Sequence, residues 1–201
     1  MSVIKRSITD FWTHSIKCKR SSMDKFDFIV QNISGKVLHV GCTDFPLPTI
    51  GLLHKKLLNL GINVDGYDVD KVGIEELRKN LPNQKFYLDT DSIDDVYDLL
   101  LIPEVLEHVT SHEEFFKKMN LINFDKFIIS VPNALYRNLP YVYNENNQEF
   151  IEVVHPDHKC WYSPYTSTFL IEEIAKWSIK DVYLMHNDTQ VVIFGQKKNI
   201  K

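Results

Sequence analysis

Lys36-Val37-Leu38-His39-Val40-Gly41-Cys42 and Val64-Asp65-Gly66-Tyr67-Asp68 are the two stretches that decide how this chain folds. The first is a short apolar run that stops at a glycine. The second is an apolar run that stops at an acid. Between them, the segment 48–60 carries Leu53, Leu57 and Leu60 at i, i+4 and i+7, with Gly61 just beyond. That spacing predicts a helix and its end. A strand–helix–strand unit with a carboxylate at the tip of its second strand is suited to holding a ribose. A dinucleotide fingerprint needs three glycines, so that the backbone can approach a pyrophosphate. Here Gly41 stands alone before Cys42, Thr43, Asp44, Phe45 and Pro46. The loop suits a nucleoside without phosphates and disfavours a nicotinamide dinucleotide.

The alternation continues on both sides of this unit. Upstream, residues 22–32 read as a helix with Phe26, Ile29 and Val30 on one face. Downstream, a helix over 71–80 stops before Leu81-Pro82, because a residue preceding proline avoids the helical region. A strand near 84–88 ends at Asp89. Tyr97 to Ile102 is apolar apart from Asp98, as expected of a strand covered on both faces. A helix over 113–119 and a strand over 125–131, closed by Pro132-Asn133, follow. Residues 134–162 read as irregular, and a loop of that length is functional or mobile. Ser163-Pro164 opens a helix whose apolar stripe is Leu170, Ile174 and Trp177. Strands near 179–185 and 190–196 form a hairpin around Asn187-Asp188. The pattern predicts an α/β, doubly wound, mostly parallel sheet with a C-terminal antiparallel hairpin.

The chain has 201 residues, which suits a single domain over 1–201 with a sizeable core. Within it, 1–34 reads as an N-terminal arm and helix and 35–196 as the core. The formal charge of −4 argues against a dominant phosphate-backbone partner. Residues 1–21 carry Lys5, Arg6, Lys17, Lys19 and Arg20 against Asp10 alone. Such an arm either touches an anionic substrate or is a solvated tail, and the tail is the expected reading. Cys18, Cys42 and Cys160 lack zinc-finger spacing and are odd in number, which suits free thiols in a reducing, cytoplasmic compartment. No run approaches the roughly 20 apolar residues of a membrane span, and there is no signal-peptide core.

Five stretches in order resemble the class I S-adenosylmethionine-dependent methyltransferases. They are Lys36 to Cys42, Val64 to Asp70, Tyr87 to Asp89, Tyr97 to Val109 and Ile128 to Asn133. S-adenosylmethionine also fits the nucleoside reading of the loop. The resemblance implies a Rossmann-like sheet of seven strands, with the cofactor across the carboxyl ends of the first ones. It implies that Gly41 lets the methionine part approach, beside His39 and Cys42. It implies that Asp68, followed by Val69, accepts both ribose hydroxyls, and that Asp89, followed by Thr90, meets the adenine amino group. A carboxylate can take two donors at once, which is why an acid is needed at the ribose. A surface acid or a helix cap is the alternative for Asp68, since Asp70 also precedes a helix. A loop cap is the alternative for Asp89. Two departures stand out. His39 occupies the place of the usual acid, and Thr43 the place of a second glycine. Both features favour a pseudoenzyme, and His39 reads equally as a core histidine.

Glu104, Glu107 and His108 lie at i, i+3 and i+4, so on one helical turn they share a face. Two oxygens and a nitrogen suit a divalent cation. Together with His155-Pro156-Asp157-His158, this Glu-x-x-Glu-His stretch is similar to that of small-RNA 2′-O-methyltransferases and of ubiquinone-type O-methyltransferases. The resemblance implies magnesium or manganese held by Glu104, Glu107, His108 and His158 beside a vicinal diol. A first-turn cap or a substrate-orienting pair is the alternative. His155, His158 and His108 are the candidate catalytic histidines, and an imidazole base suits neutral pH. Val154 to Ser163 with Leu38 to Asp44 resembles small bacterial or phage methyltransferases, which implies a sugar or glycan hydroxyl as acceptor. Tyr136, Tyr141, Tyr143, Trp161 and Tyr162 are candidates to line its cleft. The expected partner is thus a small molecule or glycan, with no nucleic acid and no membrane. An RNA 2′-O-methyltransferase and a non-catalytic cofactor-binding subunit are the alternatives. The oligomeric state is left open.

Overall fold

The computed structural model describes residues 2–5, 12–43, 51–136, 141–146, 148–152 and 155–197. Among the described residues, twelve strands run in chain order. They are β1 (Ser2–Lys5), β2 (Trp12–Ser15), β3 (Lys19–Arg20), β4 (Val37–Val40), β5 (Val64–Tyr67) and β6 (Phe86–Tyr87). The rest are β7 (Val96–Pro103), β8 (Asn123–Pro132), β9 (Tyr141–Asn144), β10 (Glu149–Glu152), β11 (Ser178–Met185) and β12 (Gln190–Gln196). The helices are α1 (Lys25–Asn32), α2 (Leu52–Asn59), α3 (Lys71–Asn80), α4 (His112–Leu121) and α5 (Pro164–Phe169), the last continuing as a π-helix over Leu170–Ala175.

The main sheet has the order β3-β11-β12-β8-β7-β4-β5-β6. Strands β4 to β8 are mutually parallel and β12 runs against β8 and β11. The expected mostly parallel sheet with a closing hairpin is what forms. The count is eight strands where seven were expected. The extra one is β3, a two-residue strand of the N-terminal segment that pairs Lys19 with Tyr183 and Arg20 with Leu184. That segment is therefore not a solvated tail throughout. Lys19 pairs with Asp181 at 2.6 Å, and Arg20 places Nε and Nη2 on the two Asp188 oxygens at 3.0 and 2.6 Å.

Apolar alternation explains the layers. Leu100, Ile102, Phe127 and Ile129 face Phe116, Met119, Ile171 and Trp177, on the side of α4 and α5. Leu99, Leu101, Ile128 and Val192 face Phe28, Ile29 and Leu57, on the side of α1 and α2. Covering both faces is what keeps β7 and β8 apolar. Trp177 sits against the rings of Phe116, Phe124 and Phe127, and its indole N–H donates to Asn120 Oδ1 at 2.7 Å.

Several expected details differ. Leu60 is exposed, and α2 buries His54 and Leu57. Residues 48–50 of that expected helix lie outside the described residues. The buried face of the last helix is Ser167, Thr168, Ile171 and Ala175. Leu170 and Ile174 of the expected stripe are partly buried against the same core and Trp177 is fully buried, while the i→i+5 bonding after Phe169 turns Ile171 and Ala175 most deeply inward. Residues 134–162 are not irregular throughout, because β9 and β10 pair as an antiparallel hairpin.

The strands flanking β4 lead in opposite directions across the sheet, so a switch point lies between β4 and β7. Ligands of open α/β sheets bind outside the carboxyl ends there. Five candidate positions follow strand ends on that one edge: Gly41, Asp68, Asp89, Glu104 and Asn133. Among the described residues, no helix is long and apolar enough to cross a membrane.

Candidate active site

The first part of the site is the turn after β4. Gly41 adopts φ 77°, and a Cβ there would lie 2.5 Å from Val105 Cγ2. Left-handed backbone and a close neighbour together require glycine. The Gly41 amide donates to Tyr67 O at 2.9 Å, which ties the turn to the end of β5. Asp68 lies beside it. Its Oδ2 accepts the Thr43 amide at 3.1 Å and the Thr43 hydroxyl at 2.8 Å, and its Oδ1 accepts the Asp70 amide at 2.9 Å. Thr43, in the place of a second glycine, is thus a positioning group for the acid. Asp70 accepts the Val72 amide at 3.1 Å and caps α3.

The other expected cofactor residues divide by direction. Val69 is 74% exposed beside Asp68. Asp89 is exposed, and its Oδ1 accepts the Ser92 amide at 3.0 Å, so it shapes the next turn, while Thr90 is buried. His39 and Cys42 point inward. Cys42 packs with Ile74, Leu77 and Phe86. His39 is fully buried, with its Nδ1 3.4 Å from His54 Nδ1. Burial lowers the pKa of both rings, which keeps them neutral. Asp44, Phe45 and Pro46 lie outside the described residues.

The second part follows β7. Glu104, Glu107 and His108 do not share one helical turn. Glu104 has φ 52° and lies outside the 3₁₀ turn Leu106–His108. Its Oε1 accepts the Ser130 hydroxyl at 2.6 Å and pairs with Lys25 Nζ at 3.1 Å. Glu107 does meet His108, and the partner that joins them is His158. One ligand atom from each of these three residues lies within 4.8 Å of the others.

The loop over 155–160 is held there by the backbone. Lys159 and Cys160 amides donate to Glu107 O at 2.6 and 3.3 Å. His108 Nδ1 is 3.2 Å from Asp157 O. A carbonyl can only accept, so Nδ1 carries the proton and the neutral ring presents its lone pair at Nε2. His155 stacks on His158 with centroids 4.6 Å apart. Its Nδ1 accepts the Asp157 amide at 3.3 Å, which leaves the proton of the neutral ring on Nε2. As a proton acceptor it would have to give up that contact.

Glu107 is the unusual group. It is 1% exposed, and neither oxygen makes a well-formed hydrogen bond among the described residues, although its own amide and then the Lys25 charge favour the ionised form. Burial, and then the charge of Glu104, push its carboxyl up to about 8. An unpaired buried carboxylate is costly unless it is neutral, paired or bound to a metal. Burial and the neighbouring His108 and His155 lower His158. One carboxylate and two imidazoles match the donor set of a first-row divalent cation. The residues present therefore fit such an ion.

Around this cluster, Trp161 is 51% exposed and Leu135 is exposed. The Ala134 amide donates to Tyr162 O at 2.8 Å, which brings the two loops together. Tyr162 is buried, with its hydroxyl on Leu106 O at 3.0 Å and on His112 Nε2, so it supports the 3₁₀ turn from beneath. The side chains of Tyr141 and Tyr143 lie outside the described residues. The residues that sequence reasoning missed are Lys25, Ser130 and His54.

No protein-family model matches the sequence, and no curated protein matches it. Solved structures do. A chain of the Pnkp1/Rnl/Hen1 RNA repair complex superposes with TM-score 0.60 at 20% identity, covering 87% of this chain and 41% of that one. The present chain therefore spans well under half the length of that relative. An S-adenosylmethionine-dependent methyltransferase from Mesorhizobium loti gives TM-score 0.57 at 11% identity, covering 86% and 95%. A Rhodobacter sphaeroides protein named for zinc-dependent alcohol dehydrogenases gives TM-score 0.62 at 10% identity, covering 89% and 91%. The chain shares its fold with these structures, an S-adenosylmethionine-dependent methyltransferase among them. A shared fold does not choose the reaction, which has to be argued from the site.

Proposed function

We propose that this chain is an S-adenosylmethionine-dependent methyltransferase that acts on a sugar hydroxyl with a second oxygen beside it, aided by a divalent cation. One observation carries the reading. Glu107 is buried with neither oxygen in a well-formed hydrogen bond among the described residues, and His108 and His158 converge on it at the carboxyl edge of the sheet.

On this reading Asp68 receives the ribose hydroxyls. It is already oriented by Thr43 and the Asp70 amide, and a carboxylate has about four acceptor sites, so capacity remains. Gly41 leaves room for the methionine part. The cofactor supplies a methyl group on a positively charged sulfur. Bound there, it would give that methyl carbon to the acceptor oxygen, with the electron pair of the broken carbon–sulfur bond left on sulfur. The protein's task is mainly alignment of the two reactants. Glu107, His108 and His158, with Glu104 at their border, would hold a first-row divalent cation such as manganese. There the ion would supply Lewis-acid polarisation of the acceptor hydroxyl, whose proton then leaves to solvent more readily. Trp161 offers an aromatic face for a sugar ring.

A terminal ribose of RNA has the same pair of adjacent oxygens, and the likeness to a chain of an RNA repair complex favours this second reading. The net charge of −4 counts against it.

Melting curves test the cofactor. S-adenosylhomocysteine at about 100 times its dissociation constant should add roughly 2.7 kcal/mol of stability. A shift with NAD and none with S-adenosylhomocysteine overturns the reading. Chelation followed by manganese add-back tests the cation, and full transfer in excess chelator removes it. Methyl transfer to free glycans, compared with RNA oligonucleotides bearing a terminal diol, separates the two acceptors.

A further inference from the structure

Lys25 and Glu104 form a contact that the proposed reaction does not use. Lys25 opens α1 and is capped by Asp24, whose Oδ1 accepts the Phe26 amide at 2.7 Å. The segment before it is fastened to the far side of the sheet by β3, by the Ser21 amide on Leu184 O at 3.0 Å, and by Arg20 on Asp188. The helix after it is fastened by buried Phe28 and Ile29. Lys25 is thereby delivered to Glu104 with its side chain only 20% exposed and Nζ 3.1 Å from Oε1.

Glu104 is equally constrained. Its amide donates to Ser130 O at 2.9 Å, the Ser130 hydroxyl donates to its Oε1 at 2.6 Å, and its φ is 52°. Yet it stands at the carboxyl end of β7, three residues before Glu107, on the edge where the cluster forms. It is not one of the three converging residues.

We propose that Lys25 is a positioning residue that holds Glu104 out of the ligand set, so that its ammonium and the divalent cation compete for one carboxylate and Lys25 sets the affinity for the ion. The proposal rests on the cation reading of Glu107, His108 and His158. An ammonium and a divalent cation sharing one carboxylate repel each other, so ion binding must weaken the lysine contact. In the ion's absence the lysine neutralises Glu104 and limits its repulsion of Glu107.

The test is Mn²⁺ binding to the full chain, read by loss of the free-ion EPR signal. Lys25→Met and Lys25→Gln should each bind Mn²⁺ about tenfold more tightly than the wild type, the size of coupling expected for groups in direct contact. Lys25→Arg, which keeps the charge, should stay near the wild-type affinity. In a Glu104→Gln background the gain from Lys25→Met should vanish, because the lysine acts through that carboxylate. Unchanged or weaker binding in both neutral variants, with melting curves showing an intact fold, overturns the proposal. So does a gain that persists in the Glu104→Gln background, since that marks a diffuse charge effect. No Mn²⁺ binding by the wild type or by any Lys25 variant overturns the cation reading, and this inference with it. Binding by the wild type with no response to Lys25 overturns the inference alone.

Discussion

Two neighbouring stretches of the sheet's carboxyl edge are built in opposite ways. Past β4 and β5, the polar groups bond to one another, with Asp68 accepting three donors from Thr43 and Asp70. Past β7, Glu107 is more deeply buried and neither oxygen makes a well-formed hydrogen bond among the described residues. The first arrangement keeps its shape without a ligand, so binding there meets a preformed cradle and loses little to ordering. The second is incomplete in the protein alone and is relieved by a proton or a cation. The rise of the Glu107 carboxyl to about 8 reflects the same imbalance. A third place shows that burial without partners is not enough for a cation site. Among the described residues, His39 and His54 each bury an unpartnered Nε2 and belong to no group of three converging ligand atoms. Those rings stay neutral instead.

The largest effect is expected at Glu107. Losing one of three ligand groups should weaken Mn²⁺ binding by about 100-fold or more, roughly 2.7 kcal/mol. In the metal-free protein, Glu107→Met should stabilise. Burial first, and Glu104 second, raise this carboxyl from 4.5 to about 8. The native state then holds a proton that the unfolded state has lost, so stability falls as pH rises from 4.5 through about 8. Near pH 7 that amounts to about 3 kcal/mol, at roughly 1.4 kcal/mol per unit. Denaturant melts at about pH 5 and about pH 9 check it. If wild type and variant lose stability in parallel, Glu107 is not the unsatisfied group and the contrast fails.

The histidine pair should act in the opposite pH direction. Burial lowers His54 from 6.5 to about 4, against an opposing pull from Asp65, and burial and then the neighbouring His54 lower His39 well below its ordinary value. Below 6.5 the unfolded chain binds protons that the native state refuses, so their contribution is complete above 6.5 and is lost as pH falls through about 4. For His54 alone the loss near pH 4 is about 3 kcal/mol. The double variant His39→Val/His54→Leu should be less acid-sensitive in thermal melts. Equal acid sensitivity would mean that the rings are reached by solvent.

Asp68→Ala should weaken S-adenosylhomocysteine binding by about 1.5–3 kcal/mol, the range for hydrogen bonds to a charged group. Calorimetry decides this, and an unchanged affinity would place the ribose elsewhere. The smallest effects belong to the groups around that acid. Thr43→Val should cost about 1 kcal/mol of affinity by releasing Asp68. Asp70→Ala should cost about 1 kcal/mol of fold stability through the lost helix cap and leave affinity nearly unchanged. If Thr43→Val is silent while Asp70→Ala weakens binding, the cradle is ordered by α3 and not by the turn.

Much of the molecule was legible in advance because its signals are local. The apolar runs at Val37–Val40, Val64–Tyr67 and Val96–Pro103 are strands in place, and Asp68 stands past the end of β5 as read. The expected i, i+3, i+4 face at Glu104, Glu107 and His108 did not form. Glu104 enters the left-handed region while its amide bonds to Ser130 across the sheet, and no local propensity indicates that. His39 looked equally suited to the cofactor or to the core. His54, which meets it, gave no signal, because a buried histidine at a helical core position looks like a breach of the apolar pattern.

The order of apolar runs, turns and acids was enough to specify a mostly parallel sheet with its candidate acids on one edge. Side-chain periodicity and strand polarity act over a few residues and leave their mark in the chain itself. The convergence of His108 with the loop at Asp157, 49 residues away, and the arrival of Lys25 at Glu104 leave no such mark. They arise from how β3 seats against β11, how α1 packs, and where the 155–160 backbone bonds to Glu107. Those contacts depend on the closed geometry of the whole sheet, because a long loop has many ways to close and only packing against distant partners selects one of them.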